Sequence, residues 1–287
     1  MSLIENSTTC LGGLTNNSYM FECEGEQYIL RSPGNRTGEY IDRQAEALNA
    51  KIAYDCGLGP EVVYCDADSG LMVTRFISGA TTPGGDDLKH PAMLRRVVDT
   101  IKTLHNKGAV LSGHFDPFKT IERYVTYLKK RGGETPRNFD PALIKAQSIR
   151  QALESSQRAP TACHVDMVPE NFLDTGERIY LLDWEYAGNG DAFWDLAMLS
   201  IEAAFEGDDD KRLLEMYLGE PPRAADAGRL FLYKIVCDLV WTPWAAIQTV
   251  NGNRKLDYWS YATERCDRAL NMMERAEFEH QLRAVQR

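Results

Sequence analysis

His164-Val165-Asp166-Met167-Val168-Pro169-Glu170-Asn171, followed twelve residues on by Asp183-Trp184-Glu185, decides the reading of this chain. Between them, Asn171-Phe172-Leu173 and Arg178-Ile179-Tyr180-Leu181-Leu182 flank Asp174-Thr175-Gly176-Glu177 and predict a β-hairpin. Phosphoryl transfer needs a carboxylate that orients the acceptor hydroxyl, and oxygen ligands for a Mg²⁺ that bridges the phosphates. Asp166 and Asn171 supply a carboxylate and an amide on one loop. The hairpin then returns the chain to the same edge, where Asp183 can meet Asn171 at one metal. A lone His-x-Asp would read as unrelated polar residues beside a hairpin. The Asn five positions on, the hairpin and the apolar-apolar-Asp together argue against that.

Working outward, Tyr19-Met20-Phe21-Glu22-Cys23 and Gln27-Tyr28-Ile29-Leu30-Arg31 flank Glu24-Gly25-Glu26 as a second hairpin. A helix is expected from about Glu39 to Cys56, with Ile41, Ala45, Leu48 and Ile52 as its apolar stripe and Gly57 as its stop. Val62-Val63-Tyr64 and Leu71-Met72-Val73 flank the turn Asp66 to Gly70, and Gly79 to Asp87 reads as a linker. Beyond it, helical spacing runs through Met93 to Leu104, Ile121 to Lys130, Ala142 to Leu153, Lys211 to Leu218, Leu230 to Val250 and Tyr258 to Leu282. The expectation is an uneven two-lobed α+β protein. Residues 1–79 form a small antiparallel-sheet lobe with one helix, residues 80–287 a large, mainly helical lobe, and the ligand sits at their seam.

The 287 residues carry 32 basic and 42 acidic side chains, a formal net charge of −10. That balance argues against nucleic-acid or anionic-membrane binding and leaves room for a small cationic ligand. A composition that is 44% hydrophobic and 26% charged is globular and excludes disorder. The longest unbroken apolar runs have four residues, such as Val62 to Cys65, so no membrane insertion is expected. Met1-Ser2-Leu3-Ile4-Glu5-Asn6 has neither a basic nor an apolar leader region, so no signal peptide is read. Seven cysteines, with no Cys-x-x-Cys, indicate neither a disulfide framework nor a zinc site, and point to a reducing, cytoplasmic setting.

Taken together, these motifs make the chain resemble the choline/ethanolamine kinases of bacterial type, among the aminoglycoside-phosphotransferase-like relatives of protein kinases. The resemblance runs from Leu11 to about Leu270 and is carried mostly by His164 to Leu173 and Leu181 to Ala197. It implies a protein-kinase-like fold, ATP with Mg²⁺ as donor and a small alcohol as acceptor. By resemblance Asp166 is the catalytic base, Asn171 and Asp183 are metal ligands with Glu185 assisting, and Asp195 is a buried brace for the catalytic loop. Leu11-Gly12-Gly13-Leu14-Thr15-Asn16-Asn17, placed before the first strand, resembles a phosphate loop, in which glycines let N–H groups approach the anion. Gly12, Gly13, Thr15 and Asn16 are its expected nucleotide contacts. Arg31 takes the place of the phosphate-gripping cation, where a guanidinium can bind bidentately. The resemblance gives it Glu46 as partner, although periodicity alone puts Glu46 on a solvated face, away from the apolar stripe. Phe76 and Ile77 resemble the hinge that meets adenine.

Trp241 and Trp244 lie three apart on an apolar helix and read by default as core. Pro243 between them is expected to kink or break that helix and open space beside the rings. Tyr258 and Tyr261 follow at helical spacing. Ring faces hold quaternary ammonium groups through their negative electrostatic potential. In the family Trp241, Trp244 and Tyr261 match such a pocket, and Glu202, seven after Asp195, matches an acid near the cationic head. Gly207 departs from the pattern, falling where animal enzymes have another aromatic. The resemblance implies choline as the acceptor. Ethanolamine, thiamine, homoserine or an aminoglycoside are alternatives for the same chemistry, and a catalytically silent choline- or nucleotide-binding regulator is another. An aminoglycoside would call for carboxylates more than rings. His105 is expected to end a helix, His114 carries no role, and His164 is expected to brace the catalytic loop. The oligomeric state is left open.

Overall fold

Glu24 and Gly25 both take positive φ, 55° and 81°. This is the backbone twist that lets a two-residue turn join right-handed strands. The turn sets Tyr19 opposite Leu30 in the antiparallel pair β2 (Asn17–Cys23) and β3 (Glu26–Ser32). Around that pair, in a computed structural model describing residues 8–107 and 109–286, a five-stranded antiparallel sheet assembles in the order β1-β2-β3-β5-β4. Its other strands are β1 (Thr9–Gly12), β4 (Val62–Asp66) and β5 (Leu71–Arg75). The N-terminal hexapeptide considered above lies outside the described residues. β1 is short and exposed and has no apolar pattern to betray it. The glycine loop therefore joins β1 to β2 rather than preceding the first strand.

Helix α1 (Arg43–Asp55) starts later than its sequence suggests, after a 3₁₀ turn at Thr37–Glu39. Asp42 caps it by accepting from the N–H groups of Gln44 (3.1 Å) and Ala45 (3.0 Å). The apolar stripe is not the buried face of the helix: Ile41 precedes α1 in the core, and Ile52 is only partly buried. Leu48 is 55% exposed, while Arg43, Glu46, Asn49, Ala50 and Ala53 are buried. The helix lies in the seam between lobes, where its partners are polar. Asn49 donates to the carbonyls of Ala187 (2.9 Å) and Ser112 (3.2 Å) and accepts from the Ser112 N–H (2.7 Å). Hydrophobic periodicity assumes an apolar interior, and here it gives the wrong face.

The larger lobe is mainly helical: α2 (Gly85–Leu88), α3 (Pro91–Asn106), α4 (Pro117–Lys130), α5 (Phe139–Lys145), α6 (Gln147–Ser155), α7 (Ala192–Glu202), α8 (Asp208–Leu218), α9 (Ala224–Val250), α10 (Tyr258–Glu274) and α11 (Phe278–Val285). Two antiparallel pairs interrupt it, β6 (Thr161–Cys163) with β9 (Gly188–Gly190) and β7 (Phe172–Asp174) with β8 (Ile179–Leu181). The helices expected at Ala142 to Leu153 and Tyr258 to Leu282 are each divided in two. α7 has no amphipathic signature because nine of its eleven residues are buried. The linker is tied in place, since Thr81 and Asp174 exchange backbone hydrogen bonds (2.9 and 2.8 Å).

α9 is the axis of this lobe, packed by α4, α7, α10 and α11. Its 27 residues are long and apolar enough to cross a membrane, contrary to the expectation drawn from short apolar runs, but 94% of the apolar window is covered by protein. Nor does Pro243 break it. The helix runs through to Val250, because neighbours enclose it from Leu230 to Gln248 and only one backbone bond is forfeited.

Asn49 holds α1 against the large lobe. Asn49→Leu should leave two carbonyls and one N–H without their partners and lower the unfolding free energy by about 2–4 kcal/mol, measured by urea titration. An unchanged midpoint and slope would remove this tether from the account.

Candidate active site

The catalytic loop leaves β6 at His164 and turns sharply, with Val165 at φ 76°. A β-branched residue in the left-handed region is strained by roughly 1–3 kcal/mol. Asp195, on α7 and fully buried, holds the turn by accepting from the N–H groups of His164 (2.9 Å) and Val165 (2.8 Å). Trp194 Nε1 donates to the Val165 carbonyl at 2.8 Å. Behind the brace, His105 Nε2 lies 3.1 Å from Asp195 and its Nδ1 2.8 Å from the Tyr217 hydroxyl. His105 thus does more than end α3. Burial pushes the His164 ring below its ordinary pKa, against the pull of Asp195, and its Nε2 donates to the Leu182 carbonyl (2.7 Å). His114 lies 2.7 Å from the Asn189 carbonyl through Nδ1, away from this loop.

This turn presents Asp166. The Asn171 amide donates to its carboxylate (3.1 Å) and its carbonyl (2.9 Å), leaving Asn171 Oδ1 without a protein donor among the described residues. Burial pushes the Asp166 carboxyl well above its ordinary range, and the negative charges of Asp183, Glu185 and Glu202 push it the same way. The Asn171 hydrogen bond opposes them. Leu182 N–H donates to the Asn171 carbonyl (2.9 Å), so the hairpin delivers Asp183, itself at φ 61°, beside the loop.

Asp183 and Glu185 then meet charges from the small lobe. Arg31 on β3 pairs with both Glu46 and Asp183. Arg43 pairs with Glu46 (2.6 Å) and Glu185 (3.0 Å). The Asn16 amide donates to Glu185 (3.1 Å) and Asp183 (3.3 Å). Oxygens of Glu46, Asp183 and Glu185 lie within 4.8 Å of one another, an all-oxygen donor set suited to a hard divalent cation. Burial and Asp183 push the Glu185 carboxyl up, against the pull of Arg31 and Arg43.

One cleft of 860 Å³ is lined by Gly12, Gly13, Thr15, Asn16, Arg31, Phe76, Ile77, Asp166, Asn171, Asp183, Glu185, Glu202, Trp241, Trp244 and Tyr261. Glu46 stands behind its wall, 2% exposed, so the solvated-face reading is wrong. Of Phe76 and Ile77, both on the cleft wall, the Phe76 N–H donates to the Gln27 carbonyl (3.0 Å) and so is not free for a ligand.

The aromatic wall includes a ring the sequence reading missed. Tyr186 stands edge-on to Trp241 (centroids 5.2 Å, 90°) and its hydroxyl accepts from Trp244 Nε1 (2.8 Å). Trp241 and Trp244 are themselves edge-on at 5.5 Å, and Tyr258 and Tyr261 flank Trp244 at 5.9 and 6.4 Å. Gly207, at the start of α8, does not line the cleft. Glu202 is not a free acid, for Arg265 pairs with it and also donates to the Tyr261 hydroxyl.

The glycine loop is strapped to the large lobe. Lys255 Nζ donates to the carbonyls of Gly13 (2.7 Å) and Asn16 (3.2 Å) and to Asn17 Oδ1 (2.9 Å). The Asn253 amide and the Tyr258 hydroxyl both donate to the Leu14 carbonyl at 3.0 Å.

Arg43, Tyr186, Lys255 and Arg265 escaped the sequence reading, and His105 was read only as a helix end. Arg43 lies one turn before Glu46, a spacing that marks an i,i+3 ion pair. Tyr186 directly follows Glu185. The other three are placed by tertiary contacts with no local signature.

Asp195→Ala should strand two buried N–H groups beneath a strained turn. A loss of roughly 2–5 kcal/mol is expected in chemical denaturation. Wild-type stability in this variant would show that the turn holds itself.

A profile of the choline/ethanolamine kinase family matches residues 8–216. Over 272 residues the chain is 27% identical to protein LicA of Haemophilus influenzae, across 92% of this chain and 79% of that protein. A solved choline/ethanolamine kinase family protein from Mesorhizobium loti shares 37% identity and superposes with a TM-score of 0.86 over 99% of this chain and 94% of its own. The choline kinase LicA from Streptococcus pneumoniae is 28% identical, with a TM-score of 0.83 over 94% of each chain, and LicA has also been solved in complex with AMP. With its two-lobed kinase-like fold and this family match, the chain belongs to the choline/ethanolamine kinase family, ATP-dependent phosphotransferases with an alcohol as acceptor.

Proposed function

We propose that this protein phosphorylates choline, converting ATP and choline to ADP, phosphocholine and a proton. The observation that carries the reading is that the same cleft is lined by the glycine loop, by Asp166, Asn171 and Asp183, and by the rings of Tyr186, Trp241, Trp244 and Tyr261. A quaternary ammonium has no N–H to donate, so ring faces suit it, each contact contributing ~0.5–2 kcal/mol. The acceptor of the LicA choline kinase from Streptococcus pneumoniae is consistent with this.

Asp166 orients the choline hydroxyl and takes its proton as the oxygen attacks. A carboxyl raised above its ordinary range is a better proton acceptor once ionised. Arg31 and the backbone N–H groups of residues 12–16 hold the phosphate tail. Asp183 and Glu185, whose oxygens cluster with that of Glu46, supply hard oxygen donors with neither thiol nor imidazole in the set, and with Asn171 Oδ1 would hold Mg²⁺. Bound there, the ion would supply positive charge against the phosphates. The Phe76 carbonyl and Ile77 N–H would meet adenine. In this reading residues 1–79 are the nucleotide-binding lobe and 80–287 the catalytic and acceptor lobe. The seven free thiols suit a cytoplasmic setting.

A coupled ADP-release assay with MgATP and a panel of choline, ethanolamine, thiamine, homoserine and an aminoglycoside tests the acceptor. Choline should give the highest kcat/KM, with activity lost in EDTA and restored by Mg²⁺. Asp166→Asn should lower kcat by at least about 10²-fold with little change in ATP affinity. Another preferred alcohol would replace the choline assignment. Wild-type turnover in the variant would remove Asp166 as base.

The raised Asp166 carboxyl also sets a pH dependence. Its active, ionised form is lost as pH falls through the elevated value, so the acid limb of kcat/KM should lie well above 3.8. A limb at the ordinary aspartate position would contradict this environment.

A further inference from the structure

Arg265, on α10, is a cation buried to 4% exposure beside the acceptor pocket. Its guanidinium pairs with Glu202, donates to the Tyr261 hydroxyl and reaches Asp238 at 3.2 Å. The guanidinium carbon lies 4.6 Å over the Tyr261 ring centroid. Two of the groups that would receive an acceptor's positive head, the carboxylate of Glu202 and one face of Tyr261, are thus already engaged by a cation of the protein itself. Burial works against that charge, but Tyr261, Glu202 and Asp238 outweigh it and hold the guanidinium protonated. Asp238 does not depend on Arg265 alone, since Arg268 donates to both of its oxygens at 2.7 Å.

This arrangement treats different ammonium groups differently. A primary ammonium needs acceptors for three N–H groups and gains most from an unpaired carboxylate. A carboxylate already bound by a guanidinium offers fewer free lone pairs and little net charge. A quaternary ammonium loses nothing by this, because it has no N–H and draws its binding from the ring faces of Trp241, Trp244 and Tyr186.

We propose that Arg265 is a specificity-determining residue, which by occupying Glu202 biases the pocket toward quaternary-ammonium alcohols and against primary-amine alcohols. The proposal rests on the acceptor pocket assigned above. Arg265 acts through Glu202 and touches no reacting atom.

The test is the ratio of kcat/KM for choline to that for ethanolamine. Arg265→Met frees the carboxylate and should lower the ratio about tenfold, chiefly through a lower KM for ethanolamine. Arg265→Lys keeps a cation and should retain most of the wild-type ratio. Adding Glu202→Gln to Arg265→Met should restore the ratio, since the freed acceptor is removed again. Glu202→Gln in the otherwise wild-type chain should shift it less than about threefold, because Arg265 already engages that acid. This last measurement decides the matter if Arg265→Met does not fold. A folded Arg265→Met that loses both substrates equally makes Arg265 a packing residue and overturns the proposal. So does a shift of tenfold or more in Glu202→Gln alone. Wild-type protein that phosphorylates neither alcohol overturns the choline reading itself, and this proposal with it.

Discussion

Two guanidiniums and three carboxylates meet in the seam between the lobes, and the rest of the architecture is arranged around keeping them together. Arg43, Glu46 and Glu185 are nearly excluded from solvent, and Arg31 is largely so. A single buried charge without its partner costs several kcal/mol, and removing one member of such a pair typically costs about 3–5 kcal/mol. The members come from three places, β3, α1 and the chain after β8, so the cluster ties the sheet to the helix and both to the large lobe. It explains why α1 turns a polar face inward and leaves Leu48 in solvent. Counting formal charges, two positive and three negative leave one negative, so the seam accepts a further cation more readily than a further anion.

The loop after β6 shows a second kind of constraint. Val165 and Asp183 both sit at positive φ, a region aspartate visits more readily than a β-branched valine. The conformation persists because Asp195, Trp194 and the ring of His164 supply the main chain here with hydrogen bonds. Strain at Val165 is thereby balanced by buried polar contacts one layer away. His105 and Tyr217 extend that layer as far as α8.

Much of this was legible in the sequence where the signal is local. The β2–β3 turn, the hairpin after Asn171, α3 and α4 follow from turn residues and period alone. The spacing and the family resemblance it supports singled out Asp166, Asn171, Asp183 and Glu185, which the folded chain brings to one cleft. What stayed hidden has a common physical cause. Glu46 was misplaced by periodicity because its surroundings are charged, and α7 was passed over because burial on all sides leaves no stripe. Pro243 does not break α9, since a helix packed on several sides by other helices tolerates one missing hydrogen bond. Tyr186 and Arg265 join Trp241 and Glu202 through contacts that only the folded chain creates.

The strap across the glycine loop grips main-chain carbonyls of residues 13, 14 and 16. Apart from the Lys255 bond to Asn17 Oδ1, its hold therefore does not depend on which side chains the loop carries. Leu14, half exposed, can drift to other residues without loosening the anchorage. Gly13 and Gly34 cannot, because a Cβ there would come within 2.5 Å of the Asn16 carbonyl oxygen and 2.1 Å of that of Thr15. Variation in this loop is channelled by backbone that the other lobe holds still. A tolerant position and two closed ones lie side by side in space, though Gly34 stands far from Gly13 along the chain.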